Sequence, residues 1–152
     1  TRLRTKKEAD YTIRMNRVGL KFYSVLYPFF LWNQKRLEVQ RQRRNDDSSA
    51  QKFQEMVVPC GACLIFSKDF CEREHKAFEP ETEFYYEEYL LAYRCRQKEY
   101  QISYDPDLRV MHHSGRATNE SFKNRKKRQR FVMEKTAEAC EVYRGTVYAH
   151  KY

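Results

Sequence analysis

Glycine and proline are scarce, four of each in 152 residues, which excludes a collagen-like chain, a linker-dominated chain and a small turn-dense all-β domain. Long apolar runs are missing as well. The longest, Phe22 to Trp32, spans 11 residues around Pro28, well short of the ~20 that cross a bilayer, so it encodes no transmembrane helix. The opening TRLRTKKEAD is basic but is followed by neither an apolar core nor a small-residue cleavage site, and so gives no support for a signal peptide. Cysteine does not supply a disulfide framework: Cys60, Cys63, Cys71, Cys95 and Cys140 form an odd set at irregular spacing, which suits a reducing compartment. The expected location is cytoplasmic. The chain opens with Thr1 inside a run of charges, as a piece of a longer protein does.

Charge and aromatic rings are abundant. Thirty Lys and Arg against 21 Asp and Glu give a formal charge of +9, and 12 Tyr with 10 Phe supply most of the material for a core despite a mean hydropathy of −0.95. Global disorder is excluded on that basis, and the length suits one domain. The charge is segregated. Residues 72 to 88 hold seven carboxylates against Arg73 and Lys76, a local balance of −5 within a basic protein.

The chain divides by composition into three stretches. Residues 1–56 are basic and aromatic, with Asn45-Asp46-Asp47-Ser48-Ser49 marking a flexible loop over 45–51. Residues 57–119 read as loop, strand, helix, strand, strand. Val57-Val58-Pro59 leads into an apolar strand at Cys63-Leu64-Ile65-Phe66, and Ser67 caps a helical turn. Tyr86, Leu90 and Tyr93 space a helix over roughly 85–98, opened by the Glu87-Glu88 pair. Tyr100 to Tyr104 and Leu108 to His112 alternate as strands about the turn Asp105-Pro106-Asp107. Residues 120–152 form a basic amphipathic helix. Thr118 or Asn119 caps it, Val132, Thr136, Ala139, Cys140, Tyr143 and Val147 share one face, and Gly145 ends it.

Several constellations carry chemistry, each beside a plainer explanation. Adjacent carboxylates at a helix start feel the helix dipole, which favours the anion, and mutual repulsion with burial, which raises one pKa. A carboxylate so poised makes a general base for a hydroxyl, although solvated first-turn acids, or acids paired with Arg94, are equally consistent with Glu87 and Glu88. Cys60-Gly61-Ala62-Cys63 spells CxxC, but no second ligand pair follows for zinc and the next residues read as strand instead of the helix a redox motif opens. Gly61 and Ala62 then allow close backbone approach to something bulky. Asp105-Pro106-Asp107 offers two oxygen donors suited to Mg²⁺ or Mn²⁺, but a Pro-centred turn between two short strands explains the same letters and is the preferred reading. His112 and His113 end a strand, where imidazole binds metal or pairs with phosphate. The run Lys123, Arg125, Lys126, Lys127, Arg128 and Arg130 is a surface for phosphate or anionic membrane, or a solvated helix face.

Taken together, Val58-Pro59-Cys60-Gly61-Ala62-Cys63-Leu64-Ile65-Phe66, Phe84-Tyr85-Tyr86-Glu87-Glu88-Tyr89-Leu90-Leu91-Ala92-Tyr93-Arg94, Tyr100-Gln101-Ile102, Pro106, Val110-Met111-His112, Gly115 and Thr118-Asn119 resemble the C-terminal half of family 2 glycosyltransferases. The likeness is to the rhamnosyltransferase-like and capsular or O-antigen polysaccharide enzymes of bacteria, and it covers about residues 57 to 119. The resemblance implies an α/β fold, the C-terminal half of a GT-A nucleotide-sugar transferase, with a short mixed sheet, flanking helices and a long C-terminal helix. It implies that Glu88 is the catalytic base of an inverting transfer, where the family usually has Asp, with Glu87 as the preceding acid. Gly61 and Ala62 match the strand start beside sugar and acceptor, Arg94 the helix arginine, and His112 a histidine near donor diphosphate and metal.

The implied reactants are a nucleotide-sugar donor and a glycan or lipid-linked acceptor, with divalent Mg or Mn as cofactor. The family's donor-binding strands and metal motif precede the Gly-Ala strand, and residues 1 to 56 do not resemble them. The chain is then the acceptor-side part, inactive without an N-terminal half. Aromatic residues 22 to 32 and the basic helix suggest peripheral contact with an anionic membrane at the inner face of the cell membrane. A different class, a non-enzymatic basic module binding nucleic acid or another anionic polymer, conflicts with the −5 segment and with the lack of a nucleic-acid motif, so no nucleic acid is expected.

Overall fold

Thr5 starts the first helix. Its hydroxyl accepts from the Glu8 amide at 3.3 Å while the Glu8 carboxylate accepts from the Thr5 amide at 2.7 Å, a reciprocal capping box that satisfies two otherwise unpaired donors. In the computed structural model, which describes residues 2–29, 32–33, 36, 54–55, 58–59, 61–78, 80, 82, 84–111, 122 and 124–149, this helix is α1, Lys6–Lys21. The chain turns at Phe22 and is helical again over 23–29. The other elements are β1 (Gln54–Glu55), α2 (Lys68–Arg73), α3 (Glu87–Gln97), β2 (Ser103–Tyr104) and α4 (Arg125–Tyr148).

Helix α4 lies antiparallel along α1. Near the C-terminal end of α4, the Tyr143 and Tyr148 hydroxyls both donate to the Arg4 carbonyl, at 2.8 and 2.6 Å, and the Cys140 thiol reaches the Ala9 carbonyl at 3.5 Å. At its start, the Tyr23 hydroxyl donates to the Lys126 carbonyl at 2.7 Å, and the Lys126 ammonium sits over the Tyr27 ring at 5.4 Å. Between these ends Ala9 and Ile13 of α1 bury against Ala139, Cys140 and Tyr143. Ion pairs Arg144–Asp10 and Arg17–Glu141 line the seam. Their exposure limits each to a few tenths of a kcal/mol, so apolar burial holds the pair together.

Helix α3 joins two cores. Tyr86, just before the helix, and Tyr89 within it pack on Tyr143 at ring distances of 5.5 and 5.8 Å, extending the α1–α4 core. The other face of α3, Leu91 and Cys95, covers Phe70 of α2, on which Phe66 stacks at 4.9 Å and Tyr100 packs edge-on at 5.2 Å. Ser67 caps α2 by accepting from the Phe70 amide at 3.2 Å. Glu74, just beyond α2, accepts from Lys98 at 2.7 Å and from the Tyr100 hydroxyl at 3.1 Å, fastening the end of α3 to the end of α2. These hydrogen bonds, the Lys98 ammonium first, hold the Glu74 carboxyl below its ordinary range.

The α/β expectation is overturned: the described residues are dominated by helix and do not form the short mixed sheet of a GT-A half-fold. Among the described residues, strand pairing is confined to Gln54 with Tyr104 and Glu55 with Ser103, antiparallel. The reason is visible at 63–66. Leu64 and Phe66 turn toward the Phe70 core while Cys63 and Ile65 face solvent, so the period-two pattern is obeyed, yet no described strand lies alongside to complete a ladder. Alternation decides which side chains face inward. A strand also needs a neighbour's amides and carbonyls. At 108–111 even the alternation is lost, and all four residues are exposed.

Two boundaries of the final helix differ from expectation. Asn124 is the cap, its side-chain oxygen accepting from the Lys126 and Lys127 amides at 2.9 and 3.2 Å. Gly145 does not end α4. It lies inside the helix with open space where a Cβ would stand, and the helix runs on because Tyr148 anchors on Arg4. The loop 45–51, Cys60, His112, His113, Gly115, Thr118, Asn119 and Lys123 lie outside the described residues.

Candidate functional site

Tyr85 and Tyr86 adopt left-handed backbone, φ 69° and 63°, immediately before α3. For tyrosine this costs about 1–2 kcal/mol per residue, and such geometry persists only where the surroundings over-determine it. Here the surroundings are aromatic. Tyr86 is buried between Tyr89, at 5.2 Å, and Tyr143, with the Arg4 guanidinium 5.7 Å above its ring. Burial pushes the Tyr86 and Tyr143 hydroxyls well above the usual phenol range, so both stay neutral donors and acceptors at physiological pH.

The consequence is the placement of two acids. Because the chain reverses through Tyr85 and Tyr86, α3 begins abruptly at Glu87, without a side-chain cap on its first turn. Burial, with the charge of Glu88 beside it, pushes the Glu87 carboxyl above its ordinary value, outweighing the opposing pull of the nearby backbone amides. Glu88 points across a sequence gap of more than two dozen residues to the turn at Gly61. A Cβ built on Gly61 would lie 1.9 Å from the Glu88 Oε1 and 2.8 Å from its Cδ. Only glycine leaves room for that carboxylate.

Ala62, the next residue of the turn, lines a groove of about 600 Å³. Pro59, Leu64, Phe66, Leu91, Tyr100 and Ile102 form much of its apolar wall, and Gln101, Ser103 and Asp105 add polar groups. The site is thus a carboxylate against a glycine turn, a second carboxylate of raised pKa beside it on the same helical turn, and an open, largely apolar trough leading away from Ala62. Chemically, a carboxylate so placed is able to accept a proton from a hydroxyl brought to it, and the trough beside Ala62 is able to bury apolar surface of a ligand.

Of the residues singled out from the sequence, the structure sets Glu88 against Gly61, with Glu87 and Ala62 their neighbours along the chain. Arg94 is elsewhere. Its guanidinium donates to the Lys76 and Ala77 carbonyls at 2.9 and 2.6 Å, pinning the loop that follows α2. His112 lies outside the described residues. At Asp105-Pro106-Asp107, the Asp105 side chain accepts from the Asp107 amide at 2.9 Å, an Asx turn. Among the described residues no three His, Cys, Asp or Glu side chains are grouped to hold a metal.

Cys63 and Cys71 are free and exposed, and Cys95 and Cys140 free and buried. The residues that sequence reasoning missed are Tyr85, Tyr86 and their support from Arg4 and Tyr143. Left-handed backbone is signalled by Gly or Asn, and two tyrosines give no such signal. No family model, curated protein or solved structure matches the chain.

Proposed function

We propose that this chain supplies the acceptor side and the general base of an inverting glycosyl transfer from a nucleotide-sugar to a hydroxyl of a glycan or lipid-linked acceptor. One observation carries the reading: Glu88 and Gly61, distant in sequence and each singled out by the resemblance, meet with the carboxylate seated on the glycine. In the proposed step Glu88 takes the proton of the acceptor hydroxyl. The acceptor oxygen forms its bond to the anomeric carbon from the face opposite the diphosphate, and the carbon–oxygen bond to the diphosphate breaks, the electron pair leaving with the nucleoside diphosphate.

The reading concerns activity and does not depend on a GT-A sheet. Donor recognition is assigned to residues outside those that carry the resemblance. Apolar and aromatic walls along the groove support an acceptor sugar by burying its C–H faces, with Gln101, Ser103 and Asp105 available to its hydroxyls.

The test is Glu88→Gln in the gene product that carries this sequence, assayed by release of nucleoside diphosphate from a panel of nucleotide-sugars with glycan acceptors. Transfer is expected to fall by 10²-fold or more, the usual contribution of a general base, with an unchanged circular dichroism spectrum. Full turnover in the variant overturns the assignment of the base, and failure of every nucleotide-sugar to turn over with the parent protein overturns the reaction class.

A further inference from the structure

The helical segment from α1 onward has two apolar faces, one buried on α4 and one exposed. Ala9, Ile13 and Tyr23 turn inward onto α4. On the opposite side, Tyr11, Met15 and Val18 of α1, Phe22 at the turn, Val25 and Phe29 of the helical segment 23–29, and then Trp32 follow one another in alternating steps of four and three, the spacing of one helical face. All seven are exposed, Val25 at 79%, Tyr11 at 66% and Trp32 at 57%. Phe29 and Trp32 pack ring against ring at 5.9 Å, so the stripe closes on an aromatic pair. Scattered exposed apolar residues are ordinary. Seven at the spacing of one helical face, all exposed, are not.

The charges beside the stripe say what covers it. Lys7, Arg14 and Lys21, each seven residues from the next and therefore on one helical line, run along one border, and the Arg36 guanidinium lies over the Trp32 ring at 5.8 Å. The two carboxylates on α1 are engaged, Glu8 by Arg2 and Asp10 by Arg144. A second copy of the same helix, packed stripe to stripe, would bring this basic border onto a partner that offers no carboxylate row in return, and like charges at those flanking positions disfavour pairing. An anionic surface has the complementary charge. An apolar stripe ending in Phe and Trp, edged by Lys and Arg, is also the composition that lies in the headgroup layer of a bilayer. No helix among the described residues is long and apolar enough to cross one.

We infer that the stripe Tyr11–Trp32 seats the protein on an anionic lipid bilayer, with α1 lying in the plane of the interface and α4 on the side away from it. The contact is made by α1 and the helical segment that follows it, with Lys7, Arg14 and Lys21 over the headgroups. At the start of α4, Lys126 is turned onto Tyr23 and Tyr27.

Trp32, the sole tryptophan, makes the test specific to this face. The full chain is mixed at low salt with vesicles of phosphatidylcholine alone or of phosphatidylcholine with phosphatidylglycerol. Binding is expected only to the second, with a blue-shifted Trp32 emission that brominated phosphatidylcholine quenches. Lys7→Ala and Arg14→Ala are each expected to weaken partitioning about fivefold. Val25→Asp, at a residue so exposed that the fold does not depend on it, is expected to abolish binding with an unchanged circular dichroism spectrum. A chain that stays in solution with the anionic vesicles, or binds them with Trp32 emission unshifted and unquenched, overturns the inference. So does a dimer by sedimentation equilibrium that Val25→Asp converts to monomer, which would give the stripe to a second copy.

Discussion

Gly61→Ala separates the chemistry of the candidate site from its contribution to the fold. The new methyl would stand 1.9 Å from the Glu88 Oε1, where carbon and oxygen in contact keep about 3.4 Å, so the carboxylate must retreat by about 1.5 Å. The obstacle is the far end of a flexible side chain, and moving it off its preferred rotamer costs on the order of 0.5–1.5 kcal/mol. Gly61 does not occupy left-handed backbone, so alanine is not strained there and restricts the unfolded chain, which returns roughly 0.4–1 kcal/mol. The two nearly cancel, and the urea midpoint followed by circular dichroism is expected to shift by less than about 1 kcal/mol equivalent.

The reaction has no such cancellation. A displacement of about 1 Å in a catalytic group reduces rate by about 10²-fold. The expected result is therefore a folded protein, nearly as stable as the parent, whose transfer rate falls about 10²-fold. Combining Gly61→Ala with Glu88→Gln should lower activity no further than Glu88→Gln alone, because both act on one proton transfer. Two results refute the reasoning. Transfer within a few-fold of the parent in Gly61→Ala shows that the seat of Glu88 is not the working position, and a loss above about 2 kcal/mol of stability shows that the carboxylate is part of the fold.

Other consequences are measurable by unfolding alone. Tyr143 and Tyr148 both donate to the Arg4 carbonyl, so either Phe variant leaves that acceptor with a partner and should cost only about 0.5–1.5 kcal/mol, whereas the double variant orphans it and should exceed the sum of the two. Tyr143→Ala removes a fully buried ring that touches Tyr86, Tyr89 and Tyr148 and should cost about 3–5 kcal/mol; a change below about 1 kcal/mol in urea would show that the α1–α4 core is not organised around it. Glu87 has a folded-state pKa raised above its unfolded value, so its ionisation weakens the fold: stability is greatest below the unfolded pKa and declines as pH rises through the folded one. Glu87→Gln should therefore stabilise the protein at pH 7, by less than about 1 kcal/mol after solvent screening, and the advantage should vanish below about pH 4; equal midpoints at both pH values would remove the burial argument.

Local features were legible without coordinates because their hydrogen bonds close within a few residues. Ser67 accepts from an amide three positions on, the Asp105 turn closes within two residues, and the acid pair opens a helix as its position ahead of Tyr89-Leu90-Leu91-Ala92 implies. The same class of signal stood unread at Thr5-Lys6-Lys7-Glu8, a capping box ahead of a helix that composition alone made look like a polar basic stretch. Asn124, inside the charged run, likewise outcompetes the earlier Thr118 and Asn119 as the start of the last helix.

Tertiary structure decided what depends on a distant partner. Leu64 and Phe66 face a core as strand residues would, but whether 63–66 becomes a strand rests on another backbone, and among the described residues none is present. Tyr85 and Tyr86 are driven into left-handed backbone by Tyr143 and Arg4, contributed from the two ends of the chain, and only that reversal delivers Glu88 onto Gly61. Likewise the α1 helix could bury either of its apolar faces. The sequence by itself supplies the acids, the glycine and both stripes; packing of α4 on Ala9, Ile13 and Tyr23 alone determines which stripe is core and which remains at the surface, because burial is a property of the pair of helices and not of either one.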